Sequence, residues 1–122
     1  MKSYGKGYNQ KETKCDSTKH AEIIAINNAC KNLKSWRLID ADMYVTLEPC
    51  AMCTGAIIQS RIKNLYIGAM DLKTGACGSV LNLLEYKFNH KVNAETELLK
   101  NESEELLKSF FKNLRKKWRV IE

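Results

Sequence analysis

Three side chains of the kinds that bind zinc in proteins, together with one carboxylate, stand in a recognisable order along this chain. Glu22 follows His20 by two residues, and Cys50 and Cys53 follow directly after Pro49. When two cysteines three apart begin a helix, both sulfurs lie on one side of its first turn. One histidine and two cysteines give three protein ligands and leave the fourth tetrahedral position to water. Structural zinc sites close that position with a fourth ligand, so the ligand count predicts a catalytic zinc ion.

Glu22 is not needed as a ligand, and its position beside the histidine predicts a proton-transfer role. The charge of a zinc ion would keep both thiols deprotonated and shift a water molecule toward hydroxide near neutral pH. Glu22 would accept the proton of that water and pass it to the substrate. The alternatives are an exposed glutamate favoured by the helix dipole and a buried cysteine or histidine without metal, and the joint pattern favours the metal site.

The length and composition limit the number of domains and the class of protein that this chain can form. With 122 residues, 44% of them hydrophobic, we expect a single domain over residues 1–122. No apolar run is long enough to span a membrane, and the first residues lack a signal-peptide core, so a cytoplasmic protein is predicted. Of the five cysteines, two belong to the metal motif, and Cys15, Cys30 and Cys77 are expected to be free thiols.

The metal motif needs elements that bring its residues together. A helix is predicted over residues 18–33, with Ser17 or Thr18 as its N-cap, His20 and Glu22 in its first turn, and an apolar stripe of Ile23, Ile26, Cys30 and Leu33. Residues 43–47 are predicted to form a buried strand that leads to the cysteines, and a helix over residues 50–60 follows Pro49.

The remaining segments continue the alternation of strands and helices. Residues 64–69 are predicted to form the next strand, residues 71–79 a glycine-containing loop, and residues 80–84 a helical turn. A last strand is expected around Val92, Ala94 and Thr96, followed by a helix over residues 101–117 whose apolar residues are Leu106, Leu107, Phe110, Phe111 and Leu114. This alternation predicts an α/β sandwich in which helices pack on a sheet with parallel strands.

The net charge of +6 suits a polyanionic partner, although many lysine-rich proteins share it. Basic residues concentrate near both ends of the chain, at Lys2, Lys6, Lys11, Lys14 and Lys19 and at Lys112, Arg115, Lys116, Lys117 and Arg119. For the C-terminal group, a solvated helix face is the simpler interpretation.

The pair of motifs H-x-E and P-C-x-x-C is typical of zinc-dependent nucleobase deaminases. From about residue 5 to residue 117 the chain resembles the bacterial tRNA-specific adenosine deaminases of the cytidine deaminase superfamily. The resemblance includes Gly7-Tyr8-Asn9, Ser35-Trp36-Arg37-Leu38, Tyr44-Val45-Thr46-Leu47-Glu48-Pro49-Cys50, Gly55-Ala56-Ile57, Ser60-Arg61-Ile62, Gly68-Ala69, Asp71-Leu72-Lys73-Thr74-Gly75-Ala76, Gly78-Ser79, Phe88-Asn89-His90 and Phe110-Phe111.

The resemblance implies a cytidine deaminase-like three-layer α/β/α sandwich with a central mixed sheet. It implies one zinc ion per subunit, held by His20, Cys50 and Cys53, with Glu22 as the proton shuttle. The expected reaction is hydrolytic deamination of adenosine to inosine at the wobble position of a tRNA anticodon, with release of ammonia. The family also implies a homodimer, for which the helix of residues 50–60 with Ile57, Ile58, Arg61 and Ile62 is a candidate interface; core packing explains these isoleucines equally well.

Substrate-binding residues follow from the same resemblance. Asn9 would hydrogen-bond the target base or its ribose, although an ordinary turn asparagine is the alternative. Backbone groups around Ala21 and Pro49 to Cys50 would help to fix the base. The anticodon loop would be bound by Lys73, Phe88, Asn89, His90 and Lys91, since single-stranded RNA is bound by stacking and phosphate contacts. The alternative is that these five are ordinary loop residues without a role in RNA binding.

Two features depart from the family pattern. The helix and first strand that usually precede the segment like Gly7-Tyr8-Asn9 are expected to be missing, which would leave a sheet edge unpaired. Asp16-Ser17-Thr18-Lys19 stands where Asp-Pro-Thr-Ala is common, which places Lys19 beside the site. Two other functions stay open: a deaminase of a free base or nucleoside such as guanine or cytosine, and a truncated zinc-binding chain without activity.

Overall fold

The computed structural model describes residues 4–96 of the 122-residue chain. In that range the elements are α1 (Ala21–Leu33), β1 (Asp42–Leu47), α2 (Ala51–Gln59), β2 (Asn64–Ala69), a 3-10 helix (Leu83–Glu85) and β3 (Asn93–Glu95). The helix predicted over residues 101–117, its apolar residues and the C-terminal basic cluster lie outside the described residues.

The three described strands form one sheet in the order β1-β2-β3, and both neighbouring pairs are parallel. Parallel neighbours need a crossover connection, and α2 supplies the one between β1 and β2. The α/β class is therefore confirmed, as are the strands predicted at residues 43–47 and 64–69 and the helix predicted at residues 50–60. The third predicted strand is present as the short β3. Among the described residues no strand pairs with the outer edge of β1.

The core lies between the two helices and one face of the sheet. Alternate strand residues point to the same face, so Met43 and Val45 of β1 stand beside Leu65 and Ile67 of β2. They form one buried cluster with residues of both helices: Ala21, Ala25, Ile26, Ala29, Ile57 and Ile58. Because Ile57, Ile58 and Ile62 are buried within this chain, core packing is the observed role of these isoleucines.

Helix α1 begins later than its sequence predicts. The carboxylate of Asp16 accepts hydrogen bonds from the backbone N–H and the hydroxyl of Thr18, at 2.9 and 2.6 Å, which folds residues 16–18 into a turn. The helix starts at Ala21, and His20 is its N-cap, so the predictions of Ser17 or Thr18 as the cap and of His20 in the first turn were wrong. Glu22 does lie in that first turn.

The buried face of α1 also differs from the predicted apolar stripe. Of the four stripe residues only Ile26 is fully buried, and Leu33 is 40% exposed. Small residues line the buried face instead, because Gly5 and Gly7 of the N-terminal segment lie directly on the helix backbone. Two asparagines of α1 hold this segment by donating to backbone carbonyls: Asn28 to Lys6 at 3.0 Å and Asn32 to Tyr4 at 2.6 Å.

This close approach predicts opposite effects for two glycine-to-alanine substitutions. A Cβ at Gly5 would lie 2.5 Å from the carbonyl oxygen of Ala25 and 2.6 Å from the nitrogen of Ala29, and neither backbone atom can move away. We expect Gly5→Ala to lower the free energy of unfolding by about 1–3 kcal/mol, the usual cost of overpacking. Gly55 lies inside α2 with open space around it, so Gly55→Ala should be neutral or stabilising by up to about 1 kcal/mol. Denaturant unfolding of both variants checks this, and equal effects would contradict the packing described.

Two smaller features complete the described fold. The helical turn predicted at residues 80–84 is found slightly later, at Leu83–Glu85, because the side chain of Asn82 accepts a hydrogen bond from the N–H of Leu84 and caps it there. In residues 4–96 neither α-helix has the length and apolar character of a membrane span.

Candidate metal centre

Two helix N-termini bring the three predicted ligands together. His20 is the N-cap of α1, Cys50 is the N-cap of α2, and Cys53 lies one turn further along α2. The ligand atoms of these residues all lie within 4.8 Å of one another. The Sγ of Cys50 and the Nδ1 of His20 are 3.8 Å apart. Segments thirty residues apart in the sequence thus converge on one point.

The geometry of this group fits a tetrahedral metal ion. Zn–S and Zn–N bonds of about 2.3 and 2.0 Å place a sulfur and a nitrogen ligand roughly 3.5 Å apart around one tetrahedral zinc ion. The observed separation of Cys50 and His20 is close to that value. Two sulfurs and one imidazole nitrogen are also the donors that zinc accepts readily. Among the described residues no other group of three histidine, cysteine or acidic side chains forms such a cluster.

Glu22 lies against the metal ligands. It is 5% exposed although it is a carboxylate, and it interacts with the Cys53 side chain. A buried carboxylate of this kind is costly unless neighbouring groups compensate it. Its placement is the one that a proton-transfer group next to a metal would need, while its catalytic role remains a prediction.

Burial and neighbouring negative groups raise the pKa values of two thiols near the site. Burial, with the nearby Glu22 carboxylate and the Cys50 sulfur, raises the pKa of Cys53 well above its usual range. Burial also raises the pKa of Cys77 to about 11, to which the charges of Glu48, Cys50 and Glu22 contribute. A thiol buried among negative groups needs a cation to become a thiolate, and a divalent metal supplies that charge.

Other residues predicted to surround the base are found in varied settings. Ala21 and Pro49 are buried, and the carbonyl of Pro49 accepts hydrogen bonds from the N–H of Ala76 and the hydroxyl of Thr54. Asn9 is exposed, and its side-chain oxygen accepts from the N–H of Lys11 at 2.8 Å, as in an ordinary asparagine turn. Lys19 is half-buried, and its carbonyl accepts from the N–H of Gln10, which joins the Asn9 segment to the start of α1.

The predicted RNA contacts divide into exposed and anchored side chains. Lys73, Phe88 and Asn89 are exposed, and Tyr86, which the sequence interpretation did not single out, packs at a tilt beside Phe88 with 6.4 Å between ring centroids. His90 is half-buried, and its Nε2 lies 2.6 Å from the carbonyl oxygen of Ile62. His90 therefore ties its segment to Ile62, two residues before β2, while the aromatic pair is exposed to solvent.

Glu48 is a residue whose importance the sequence interpretation missed. It is 3% exposed at the end of β1, directly before the Pro49-Cys50 step. Burial opposes ionisation of its carboxyl group, but hydrogen bonds from Ser79, Asp71 and Cys77 outweigh burial and hold the pKa of Glu48 below its usual range. The available signal was an acidic residue where a buried strand meets a metal ligand.

Comparison with known proteins shows the family to which this chain is similar. A family model described as MafB19-like deaminase matches residues 1–115. The tRNA-specific adenosine deaminase of Haemophilus influenzae is 44% identical over 117 residues, which make up 95% of this chain and 68% of that protein.

Solved structures with similar folds are also deaminases. One comes from biochemical and structural studies of A-to-I editing by tRNA:A34 deaminases at the wobble position of transfer RNA. It is 42% identical with a TM-score of 0.73 and covers 80% of this chain and 72% of that chain. The guanine deaminase of Nitrosomonas europaea is 25% identical with a TM-score of 0.63, over 78% of this chain and 58% of that chain. The first likeness confirms the predicted cytidine deaminase-like fold class.

Proposed function

Since the chain belongs to the MafB19-like deaminases and to the tRNA-specific adenosine deaminases, we propose that it converts adenosine to inosine at the wobble position of a tRNA anticodon. The observation that carries the proposal is the cluster of His20, Cys50 and Cys53 with the buried Glu22 beside it, in a chain 44% identical to a tRNA-specific adenosine deaminase. The net reaction is adenosine plus water to inosine plus ammonia.

The ligand group is proposed to hold one zinc ion per chain. Bound there, zinc would act as a Lewis acid that lowers the pKa of a water molecule from about 15.7 to about 7. His20, Cys50 and Cys53 supply the three ligands, and their arrangement at two helix N-termini adds positive potential that favours thiolate over thiol.

Glu22 handles the protons of the reaction. Its carboxylate accepts a proton from the attacking water and donates it to the ring nitrogen next to C6 of adenine. It then accepts the proton of the hydroxyl group formed at C6 and passes it to the departing amino group, which leaves as ammonia. Each transfer needs a group that is held within reach and shielded from bulk water. The burial of Glu22 in the first turn of α1, beside the Cys53 side chain, supports this role.

The exposed side chains near the loops are proposed to hold the RNA. Lys73 would contact a phosphate, and Phe88 with Asn89 would bind unstacked nucleotides of the anticodon loop. Tyr86 beside Phe88 extends the aromatic surface that a base can stack on. Asn9 would contact the target base or its ribose after releasing its turn hydrogen bond to Lys11. His90 contributes by anchoring the segment through Ile62.

The assembly and compartment are part of the proposal as well. A tRNA substrate places the enzyme in the cytoplasm, and the family resemblance favours a homodimer. With Ile57 and Ile58 committed to the core, an interface on α2 would use its exposed side, which carries Ala51, Met52 and Gln59.

A substrate panel separates this function from deamination of a free base, which the likeness to a guanine deaminase keeps as the second candidate. The zinc-loaded chain is incubated separately with an anticodon stem-loop bearing a wobble adenosine, with guanine and with cytidine, and ammonia release is measured. We expect release from the RNA alone. Release from guanine without release from the RNA would assign the second function, and release from none would leave a metal-binding chain without activity.

A further inference from the structure

The carboxylate of Glu48 ties together the two ends of one loop. Its Oε1 accepts from the N–H of Asp71 at 3.0 Å and from the hydroxyl of Ser79. Its Oε2 accepts from the N–H of Cys77 at 2.8 Å and from the N–H of Ser79 at 3.1 Å. Three of the four donors are backbone N–H groups of residues 71–79, so one buried side chain satisfies three backbone groups of this loop.

The loop is shaped to receive this carboxylate. A Cβ at Gly75 would overlap the Glu48 carboxyl group, so only glycine leaves the space that the side chain occupies. The neighbouring N–H of Ala76 donates to the carbonyl of Pro49 at 2.8 Å, and the N–H of Glu48 donates to the carbonyl of Ala69 at 2.8 Å. The backbone around residues 48–49 and the Glu48 side chain therefore hold the loop against the residue that precedes the ligand Cys50.

A second carboxylate continues this connection toward the exposed surface. The backbone N–H of Asp71 donates to Glu48, and the side-chain Oδ1 of Asp71 accepts from the N–H groups of Lys73 and Thr74 at 3.0 and 3.2 Å. Its Oδ2 accepts from the hydroxyl of Thr74 at 2.6 Å. Hydrogen bonds thus run from Glu48, two residues from a metal ligand, through Asp71 to the backbone of Lys73.

We propose that Glu48 is a positioning residue that fixes the loop of residues 71–79, and with it Lys73, relative to the metal centre, so that RNA bound by the loop presents its adenosine to Glu22. The inference rests on the proposed function, because it assigns to the loop a part of RNA binding. Glu48 touches neither substrate nor metal; it acts through the loop. Losing its carboxylate should weaken RNA binding and leave the chemical step of bound substrate intact.

Glu48→Gln tests this with little change of shape. The two N–H groups at Oε2 can still meet the amide oxygen, and the Ser79 hydroxyl can turn to accept from the amide NH2. The N–H of Asp71 cannot turn, so it would face another donor. We expect the KM for a wobble-adenosine stem-loop to rise about tenfold, with kcat and zinc content within about twofold of the unchanged chain, as for loss of uniform binding. The exposed Glu95→Gln removes the same charge elsewhere and should leave KM unchanged.

Gly75→Ala reaches the same contact from the other side, because its methyl group would displace the Glu48 carboxylate. It should also raise KM. Since both changes break one contact, the double variant should show a KM close to that of the worse single variant rather than the product of both effects. Two independent effects that multiply would contradict a shared contact.

Other outcomes would overturn the proposal. If Glu48 had a merely structural role, its replacement would lower the fraction of folded enzyme, which reduces the apparent kcat and leaves KM unchanged. That pattern in Glu48→Gln would contradict the proposed positioning role. Kinetics equal to those of the unchanged chain would contradict it as well. Amide hydrogen exchange of the zinc-loaded chain without RNA gives a readout that does not need turnover: residues 71–79 should exchange faster in Glu48→Gln. If the unchanged chain forms no inosine, the proposed function fails, and unaltered exchange in the variant separately overturns the role of Glu48.

Discussion

Replacing Glu22 by glutamine should reduce the rate of inosine formation by about 10²–10⁴-fold, the usual contribution of a positioned acid-base group. Glutamine keeps the size and burial of the side chain but cannot accept a proton from water and return it to the base. Zinc content should stay near that of the unchanged chain, because Glu22 is not among the three ligands. Single-turnover inosine formation, measured together with metal analysis, checks both statements.

The control for this experiment is Glu95→Gln, an exposed glutamate of β3, which should retain full activity. Two results would contradict the assignment of Glu22. Loss of zinc from Glu22→Gln would make it a part of the metal centre rather than the proton shuttle. Turnover near that of the unchanged chain would mean that another group transfers the protons.

Cys53→Ala should remove the metal and with it all turnover. Cys53 is buried one turn into α2, and its sulfur is one of the three ligand atoms. Alanine at this position leaves only two ligands at the site. Loss of a residue that only supports a metal ligand lowers metal affinity by about 10–100-fold. Loss of a ligand itself should cost more, so we expect zinc affinity to fall by more than about 100-fold. Added zinc should stabilise the unchanged chain against unfolding, because its folded state binds the metal. The variant should lose this stabilisation, since it no longer binds zinc tightly.

The matched control is Cys77→Ala, which removes a thiol that is also buried. Cys77 lies 3.3 Å from the Thr54 hydroxyl and outside the ligand group, so this variant should keep its zinc and its zinc-dependent thermal shift. Competition with a chromophoric chelator gives the affinities, and thermal unfolding with and without zinc gives the shift. If Cys53→Ala binds zinc as tightly as Cys77→Ala does, the proposed ligand set is wrong.

The sequence predicts the parts of this site that depend on short segments. The spacing of Cys50 and Cys53 after Pro49, and the run of strand-forming residues before it, were enough to predict β1 and α2 and to place both sulfurs on one side of a helix. The convergence of His20 on these cysteines followed from the residue types and from the family resemblance. The first inference depends on contacts within one short segment, and the second depends on a motif whose residue types are typical of one kind of metal site.

The parts that were missed depend on contacts between distant segments. The predicted start of α1 is too early in the sequence. The Asp16 side chain accepts hydrogen bonds from Thr18, and the turn that they form stands where the first helical turn was predicted. The alanine face of α1 follows from the approach of Gly5, which no periodicity within the helix reveals. The partners of Glu48 lie 23 to 31 residues away, so its role could be recognised only once the loop was seen folded over it.

The most direct test of the proposed function is position-resolved detection of inosine in an anticodon stem-loop treated with the zinc-loaded chain. We predict inosine at the wobble adenosine, none at other adenosines of the same RNA, and no ammonia release when guanosine replaces the wobble adenosine. A zinc-loaded, folded chain that leaves the wobble adenosine unchanged while it deaminates guanine or other adenosines would contradict the proposed function.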